Sequence, residues 1–338
     1  IGPDYIAYRL TGKIQTDYCE ASTSSLCDLK TGTWSEEIRR LFKFPRDIYP
    51  EIKGTCEVCG TVTKQWQEKF HFKQDVKVLT GTGDNPAAAI ATGCFAKGYP
   101  VLSLGTSGVL MYPKKKINFE VKGKNILFSM DGKDVLILVQ GVVQSTGSSL
   151  AWWVKNTLQA DDFMEETTGV DLKHLGENEL MFYPHLVGDK TIYQDPELRG
   201  SFVGIGTDTT RKEMTIAVME GIAFAVKQLV SVMGVSKEEL ARLKVTGGGS
   251  KNEVWMQILA DVLNTKVEQL ESGAGAGYGI ALCAAAAGDE NLSMNDLIEQ
   301  TVSIKNTFIP RQYNRELYEQ KYQKYLRVYD ALKHIYQE

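Results

Sequence analysis

Short apolar runs that end in glycine-rich turns recur along this chain, and they restrict it to few folds. Lys77-Val78-Leu79 runs into the turn at 81–83, Pro100 to Leu104 into Gly105 to Gly108, and Leu243-Lys244-Val245 into Gly247-Gly248-Gly249. Each run reads as a short strand, the first of them buried, and each turn as a place where the backbone is bare. The element after each turn differs. Pro86 to Ala91 reads as a helix, with Asp84 or Asn85 as its cap and proline tolerated in the first turn. Val109 to Tyr112 reads as the returning strand of a β-hairpin. Asn252 to Leu263 reads as a helix. Strand–turn–helix units mixed with hairpins imply an α/β architecture with mixed sheets.

The rest of the chain fits that scheme. Residues 36–43 and 62–70 have helical composition. Residues 135–140 read as a strand, Gly141 to Gly147 as a polar turn, and Ser148 to Leu158 as a helix. The longest helix is expected over 211–233, where apolar residues recur at helical spacing. Thr210 with Glu213 makes a capping box before it, and Gly234 ends it. Gly273 to Gly279 is glycine-rich, Ala281 to Ala287 continues as a small-residue helix, and 314–337 reads as a closing helix. A domain junction is expected near 97–100.

Composition narrows the function. The chain has 338 residues, enough for two domains, with a net charge of −4 that suggests no nucleic-acid partner. No apolar stretch suggests a membrane span. Six cysteines are too few for a disulfide scaffold and fit a cytoplasmic location. Cys56-x-x-Cys59 has no second pair and no histidine at ligand spacing, so structural thiols are expected.

Four loops carry chemistry, each with a plainer alternative. Asp84 is placed to take a proton from an acceptor hydroxyl, or it only caps a helix. Gly105-Thr106-Ser107-Gly108 exposes successive N–H groups that bind phosphate oxygens, or it is an ordinary hairpin turn. Thr246-Gly247-Gly248-Gly249-Ser250-Lys251-Asn252 lacks both the Walker and the dinucleotide spacing. It lets a flat ligand lie on bare backbone, with Asn252 near a purine or ribose, or it is a capped loop. Gln144 to Ser149 touches a nucleotide, or Ser148 caps a helix whose tryptophans pack in a core.

In order, these motifs resemble the FGGY family of sugar kinases. The resemblance runs from Asp4-Tyr5-Ile6-Ala7-Tyr8-Arg9-Leu10-Thr11-Gly12 through Gly83-Asp84-Asn85-Pro86-Ala87 and Ser103 to Gly108. It continues through Tyr183-Pro184-His185-Leu186, Asp195 to Gly200 and Glu220 to Ala223, and ends at Gly247 to Asn252. Within the family, the Gly-Asp-Asn core favours members that phosphorylate xylulose over gluconokinase-like ones. Gly188 to Tyr193 departs from the family's Gly-Glu-Arg-x-Pro pattern.

The resemblance implies an actin-like fold of two ribonuclease-H-like domains facing across a cleft. Residues 1–98 would be the remainder of the N-terminal sugar-binding domain. Residues 99–338 would be the C-terminal nucleotide-binding domain with its closing helix. Asp84 would be the base and Asn85 would help hold the sugar. Gly105, Thr106 and Ser107 would approach the terminal phosphates of ATP, and Gly147, Gly248 and Asn252 would line the nucleotide site. Arg199 would be structural. ATP and Mg²⁺ are the implied cofactors, with metal ligands unassigned and a homodimer left open. Family members carry a first phosphate hairpin ahead of the point that matches Ile1, so about 150 preceding residues are expected. Without them the chain alone is expected to be inactive, binding only nucleotide or sugar.

Overall fold

The computed structural model describes residues 1–271, 275–289 and 291–336. Its centre is a seven-stranded sheet of β1 (Val101–Leu104), β2 (Gly108–Lys114), β3 (Lys124–Phe128), β4 (Leu136–Val143), β5 (Arg242–Thr246), β6 (Lys266–Leu270) and β7 (Ile304–Phe308). The order across the sheet is β7-β6-β5-β1-β2-β4-β3. The pairings β1–β5 and β5–β6 are parallel and every other pairing is antiparallel. The sheet is therefore mixed, as the alternating sequence pattern implies.

Six helices bear on the site: α1 (Asp84–Ala91), α2 (Gly147–Ala151), α3 (Arg211–Val232), α4 (Glu253–Leu263), α5 (Ala276–Gly288) and α6 (Asn314–Leu326). Both faces of the sheet are covered, which is why its strands read as apolar runs rather than alternating ones. Leu102, Leu104, Leu110, Val139, Val245 and Val267 pack in one cluster with α3 and α4. Val101, Met111, Ile126 and Leu138 pack on the other face with Ala89 of α1 and with Cys94.

α3 opens with the expected capping box, Thr210 and Glu213 each bonding the other's backbone N–H. It is long and apolar enough to cross a membrane, yet 72% of its apolar window is buried inside the protein. That makes it a core helix. Glu220, fully buried at its centre, meets Lys321 Nζ at 2.5 Å and the Tyr318 hydroxyl at 3.0 Å, both from α6. A buried carboxylate needs such partners.

Several elements differ from those expected. α1 is capped by Gly83, with no side-chain cap bond, so neither Asp84 nor Asn85 is the cap. Lys77–Leu79 is a strand, but half-exposed in a two-stranded ribbon with Val58–Thr61. β4 extends through Gly141 to Val143. The helix expected over 148–158 is α2 followed by a π-helical turn, Trp152–Thr157. Ser148 does not cap it, because its hydroxyl donates to Thr106 O at 3.0 Å instead. The closing helix breaks into α6 and Val328–Tyr336. Of the glycine-rich stretch Gly273 to Gly279, residues 273 and 274 lie outside the described residues, as does Gln337 of the closing segment.

β6 was not legible. Lys-Val-Glu-Gln-Leu looks too polar for an inner strand, yet Glu268 and Gln269 are buried. Glu268 is paired with Arg242 at 3.2 Å and Lys266 at 3.5 Å, and Gln269 donates to Ser250 O at 2.7 Å. Tertiary partners override the local signal.

α1 and α5 cross in direct backbone contact. A Cβ added at Gly279 would collide with the Ala87 carbonyl and the Ala91 amide, neither of which can swing aside. Gly279→Ala is expected to lower unfolding free energy by about 2–3 kcal/mol in urea titrations, the cost of forcing an overpacked contact apart. A loss below about 0.5 kcal/mol, within the usual surface range, would contradict this packing.

Candidate active site

Three of the loops singled out by sequence meet at the ends of β1, β4 and β5. The β1–β2 turn holds Gly105, Thr106 and Ser107, closed by Gly105 N–H donating to Ser107 O at 3.1 Å. The turn is stitched to the start of α2 by backbone. Gly147 N–H donates to Gly105 O at 2.9 Å, while Thr146 and Ser148 N–H donate to Thr106 O at 3.2 and 3.0 Å. Thr146 Oγ1 adds a bond to Gly105 O at 3.0 Å.

This stitching has a directional consequence. The carbonyls of Gly105 and Thr106 both face residues 146–148. In a trans peptide the N–H points opposite to the C=O. The N–H groups of Thr106 and Ser107 are therefore turned away from that segment. Two successive N–H groups held on one side of a turn form an anion-binding concavity. Gly147 is required for the approach, since a Cβ there would meet Gly105 O.

The glycine run after β5 completes the site. Gly247 has φ +93°, and a Cβ on it would sit 2.7 Å from Leu104 O. Gly249 packs against Leu104 and Trp255, whereas Gly248 faces open space. A cavity of about 790 Å³ lies between these turns. Gly105, Thr106, Gly147, Gly248 and Asn252 line it, with Trp152, Lys155 and Asn156 from the π-helical turn. Ser107 is not on that wall. A π turn widens a helix locally and often marks a ligand site. Asn252 is buried and caps α4, accepting from Trp255 N–H at 3.0 Å and donating to Thr167 Oγ1 at 3.0 Å. A second cavity of about 760 Å³ adjoins it on the α1 side, lined by Ser103, Thr246, Lys251 and Gln269.

Asp84 and Asn85 stand apart from the first cavity, on the opposite face of the sheet. Asp84 is the first residue of α1 and is exposed, and among the described residues it takes only the Asn85 N–H, at 2.7 Å. Asn85 Nδ2 donates to Gln140 Oε1 of β4 at 3.4 Å. Gln140 is three residues from Val143, the residue that pairs with Gly108 at the turn. At about 3.3 Å per residue, α1 thus begins about 10 Å along the sheet from the level of the turn.

Sequence reasoning missed several residues beside Asp84. The Glu20 carboxylate lies against Gly83, within 3.2 Å of where a Cβ would be. Burial raises its pKa, and Asp4 and Asp84 push the same way against the opposing charge of Lys124. Gln140 was visible only as a polar residue inside an apolar run. Cys56 interacts with Cys283 rather than with Cys59, which sits by Thr11 and Gln15. The Arg199 guanidinium bonds Pro196 O and Leu198 O, both at 2.9 Å.

Comparisons with known proteins identify the family. Residues 2–91 match the N-terminal domain of the FGGY family of carbohydrate kinases, and residues 101–288 match its C-terminal domain. The chain belongs to the FGGY family. It is 30% identical over 333 residues to a xylulose kinase of Bacillus subtilis, covering 98% of this chain and 65% of that protein. A Lactococcus lactis xylulose kinase is 33% identical over 328 residues, covering 96% and 65%. The chain therefore spans just under two thirds of the length of these curated relatives. Among solved structures, a xylulose kinase from Rhodospirillum rubrum superposes with a TM-score of 0.86 at 26% identity, covering 99% of this chain and 68% of that one. A Brucella ovis homologue gives 0.87 at 26%, covering 98% and 68%. The α/β, actin-like architecture expected from the motifs is the architecture of this FGGY chain.

One carboxylate near the acid loop of this FGGY chain has a measurable signature. Asp17 is buried and accepts from Glu20 N–H at 2.9 Å, capping the helix Tyr18–Thr23. Burial pushes its pKa up to about 6, against lowering by the Thr82 hydroxyl and the Glu20 and Cys19 amides. The folded state thus holds this proton more tightly than the unfolded chain. Its contribution to stability is complete below the unfolded value near 4 and is lost as pH rises through about 6. Asp17→Asn, which cannot ionise, should gain thermal stability relative to the parent as pH is raised from about 4 to about 7. A melting-temperature difference that stays flat across that range would contradict the assignment.

Proposed function

We propose that this chain carries the nucleotide site and catalytic base of an ATP-dependent kinase that converts D-xylulose to D-xylulose 5-phosphate. The observation that carries the reading is the orientation of the Thr106 and Ser107 N–H groups, locked away from residues 146–148 by the bonds those residues make to the turn's carbonyls. Gly105, Thr106 and Ser107 receive the terminal phosphates. Gly147, Gly248 and Asn252 hold the rest of the nucleotide in the cavity beside them. On this reading the chain divides near residue 98, with residues 1–98 serving the sugar and 99–338 serving the nucleotide.

Asp84 takes the proton of the acceptor's terminal hydroxyl. That oxygen forms a bond to the γ-phosphorus as the bond from phosphorus to the β–γ bridging oxygen breaks, and ADP leaves. Asn85 orients the sugar. The transfer asks for positioning and charge stabilisation more than covalent chemistry, and bare N–H groups and an exposed carboxylate suit it. Asp84 is exposed, and among the described residues only one of its oxygens is engaged, by the Asn85 N–H, which favours a base over a structural acid. Among the described residues no three His, Cys, Asp or Glu side chains converge on a metal position. Mg²⁺ in such transfers is held mainly by the substrate's phosphates and needs no protein cage, so its ligands stay unassigned and no step here runs through the ion.

Xylulose as acceptor rests on the likeness to the xylulose kinases, and a panel of ketoses, polyols and sugar acids tests it against a gluconokinase-like specificity. In a protein that also carries the preceding residues expected from the family resemblance, Asp84→Asn is expected to lower kcat on the best acceptor by about 10²-fold or more while the melting temperature holds. Turnover near that of the parent would remove Asp84 from the chemistry. If that longer parent phosphorylates no member of the panel, the kinase reading itself falls.

A further inference from the structure

Gln140 is an anomaly in the fold. It sits in mid-strand on β4 at 7% exposure, on the same face as Leu138 and beside Met111 of β2. Its Oε1 accepts from Asn85 Nδ2 at 3.4 Å. Its Nε2 is buried and has no hydrogen-bond partner among the described residues. Exchanging the two ends of the amide would only move the orphan from nitrogen to oxygen. A buried amide left half-satisfied destabilises a protein, and an apolar side chain of the same shape would fit this site better. Something other than folding keeps a glutamine here.

The contact that the glutamine makes indicates its purpose. Asn85 comes directly after Asp84, and its side chain has three other hydrogen-bonding positions. With one Nδ2 hydrogen committed to Gln140, the amide plane of Asn85 is oriented by β4 rather than free to turn. We infer that Gln140 is a positioning residue for the acceptor. It acts through Asn85, setting which face of that amide, donor or acceptor, meets the sugar oxygen next to the hydroxyl that Asp84 deprotonates. The ligand class is a polyhydroxylated acceptor with an oxygen adjacent to its reacting carbon. This role for Gln140 rests on the kinase reading of the site.

Stability and recognition should then move in opposite directions, which a merely structural residue would not bring about. Gln140→Met keeps the volume and removes both the orphan donor and the contact to Asn85. In the protein that includes the expected preceding residues, its melting temperature should equal or exceed the parent's. Its KM for the sugar should rise about 5- to 10-fold, the effect of losing one oriented hydrogen bond, with kcat and the KM for ATP within about 2-fold. Gln140→Glu keeps an oxygen for Asn85 Nδ2 and places its charge opposite Lys124, its register partner on β3. It should bring the sugar KM back towards the parent's. A Gln140→Met enzyme with the parent's sugar KM, or one that loses stability while the KM for ATP rises equally, overturns the inference and leaves the kinase reading standing. A parent that carries those preceding residues and still turns over no acceptor overturns both.

Discussion

The site depends on one backbone contact, the seam between the β1–β2 turn and the start of α2. Thr106 O accepts from the Thr146 and Ser148 N–H groups and the Ser148 hydroxyl, and Gly105 O from the Gly147 N–H and the Thr146 hydroxyl. The seam does three things. It closes β4 onto β2 at the end of the sheet, it starts α2, and it turns the Thr106 and Ser107 N–H groups outward. No side chain could substitute for Gly147 at that approach. Because the carbonyls are consumed within the protein, the proposed anion-binding face is set before any ligand arrives. Such preorganisation is what electrostatic stabilisation of a transferring phosphoryl group requires.

The opposite face of the sheet carries Asp84, the proposed base. α1 is anchored by Ala87, Ala89 and Ile90, all buried, and by its backbone contact with Gly279 of α5. That anchoring leaves its first residue, Asp84, exposed, and Asn85 reaches β4 through Gln140. The two halves of the proposed chemistry are thus mounted on one sheet. The acid comes over one face and the phosphate turn lies at the end. Near Asp84 the protein places carboxylates that burial holds towards their protonated forms, Asp17 and Glu20 among them. Asp84 itself stays at the surface.

Much of this was legible. Glycine turns after apolar runs marked β1, β5 and α1, and the ordered motifs by themselves pointed to the FGGY family. The capping box of α3 was written in Thr210 and Glu213. Other features were not legible, for physical reasons. Gly83 rather than Asp84 caps α1, because capping depends on backbone angles that composition does not carry. The π turn at Trp152–Thr157 has no sequence signature, since it arises where α2 meets packing around the cavity. β6 hides because its buried Glu268 is neutralised by Arg242 on β5 and by Lys266. Gln140 escaped notice because a single polar residue in an apolar strand has meaning only beside Asn85.

The most direct test is a crystal structure of the full chain with a non-hydrolysable ATP analogue and a ketopentose. The γ-phosphate oxygens should lie within hydrogen-bond reach of the Thr106 and Ser107 N–H groups, about 3 Å. The acceptor's terminal hydroxyl should lie between that phosphate and the Asp84 carboxylate. A nucleotide bound away from the 105–107 turn, or an acceptor hydroxyl turned away from Asp84, would contradict the proposed chemistry.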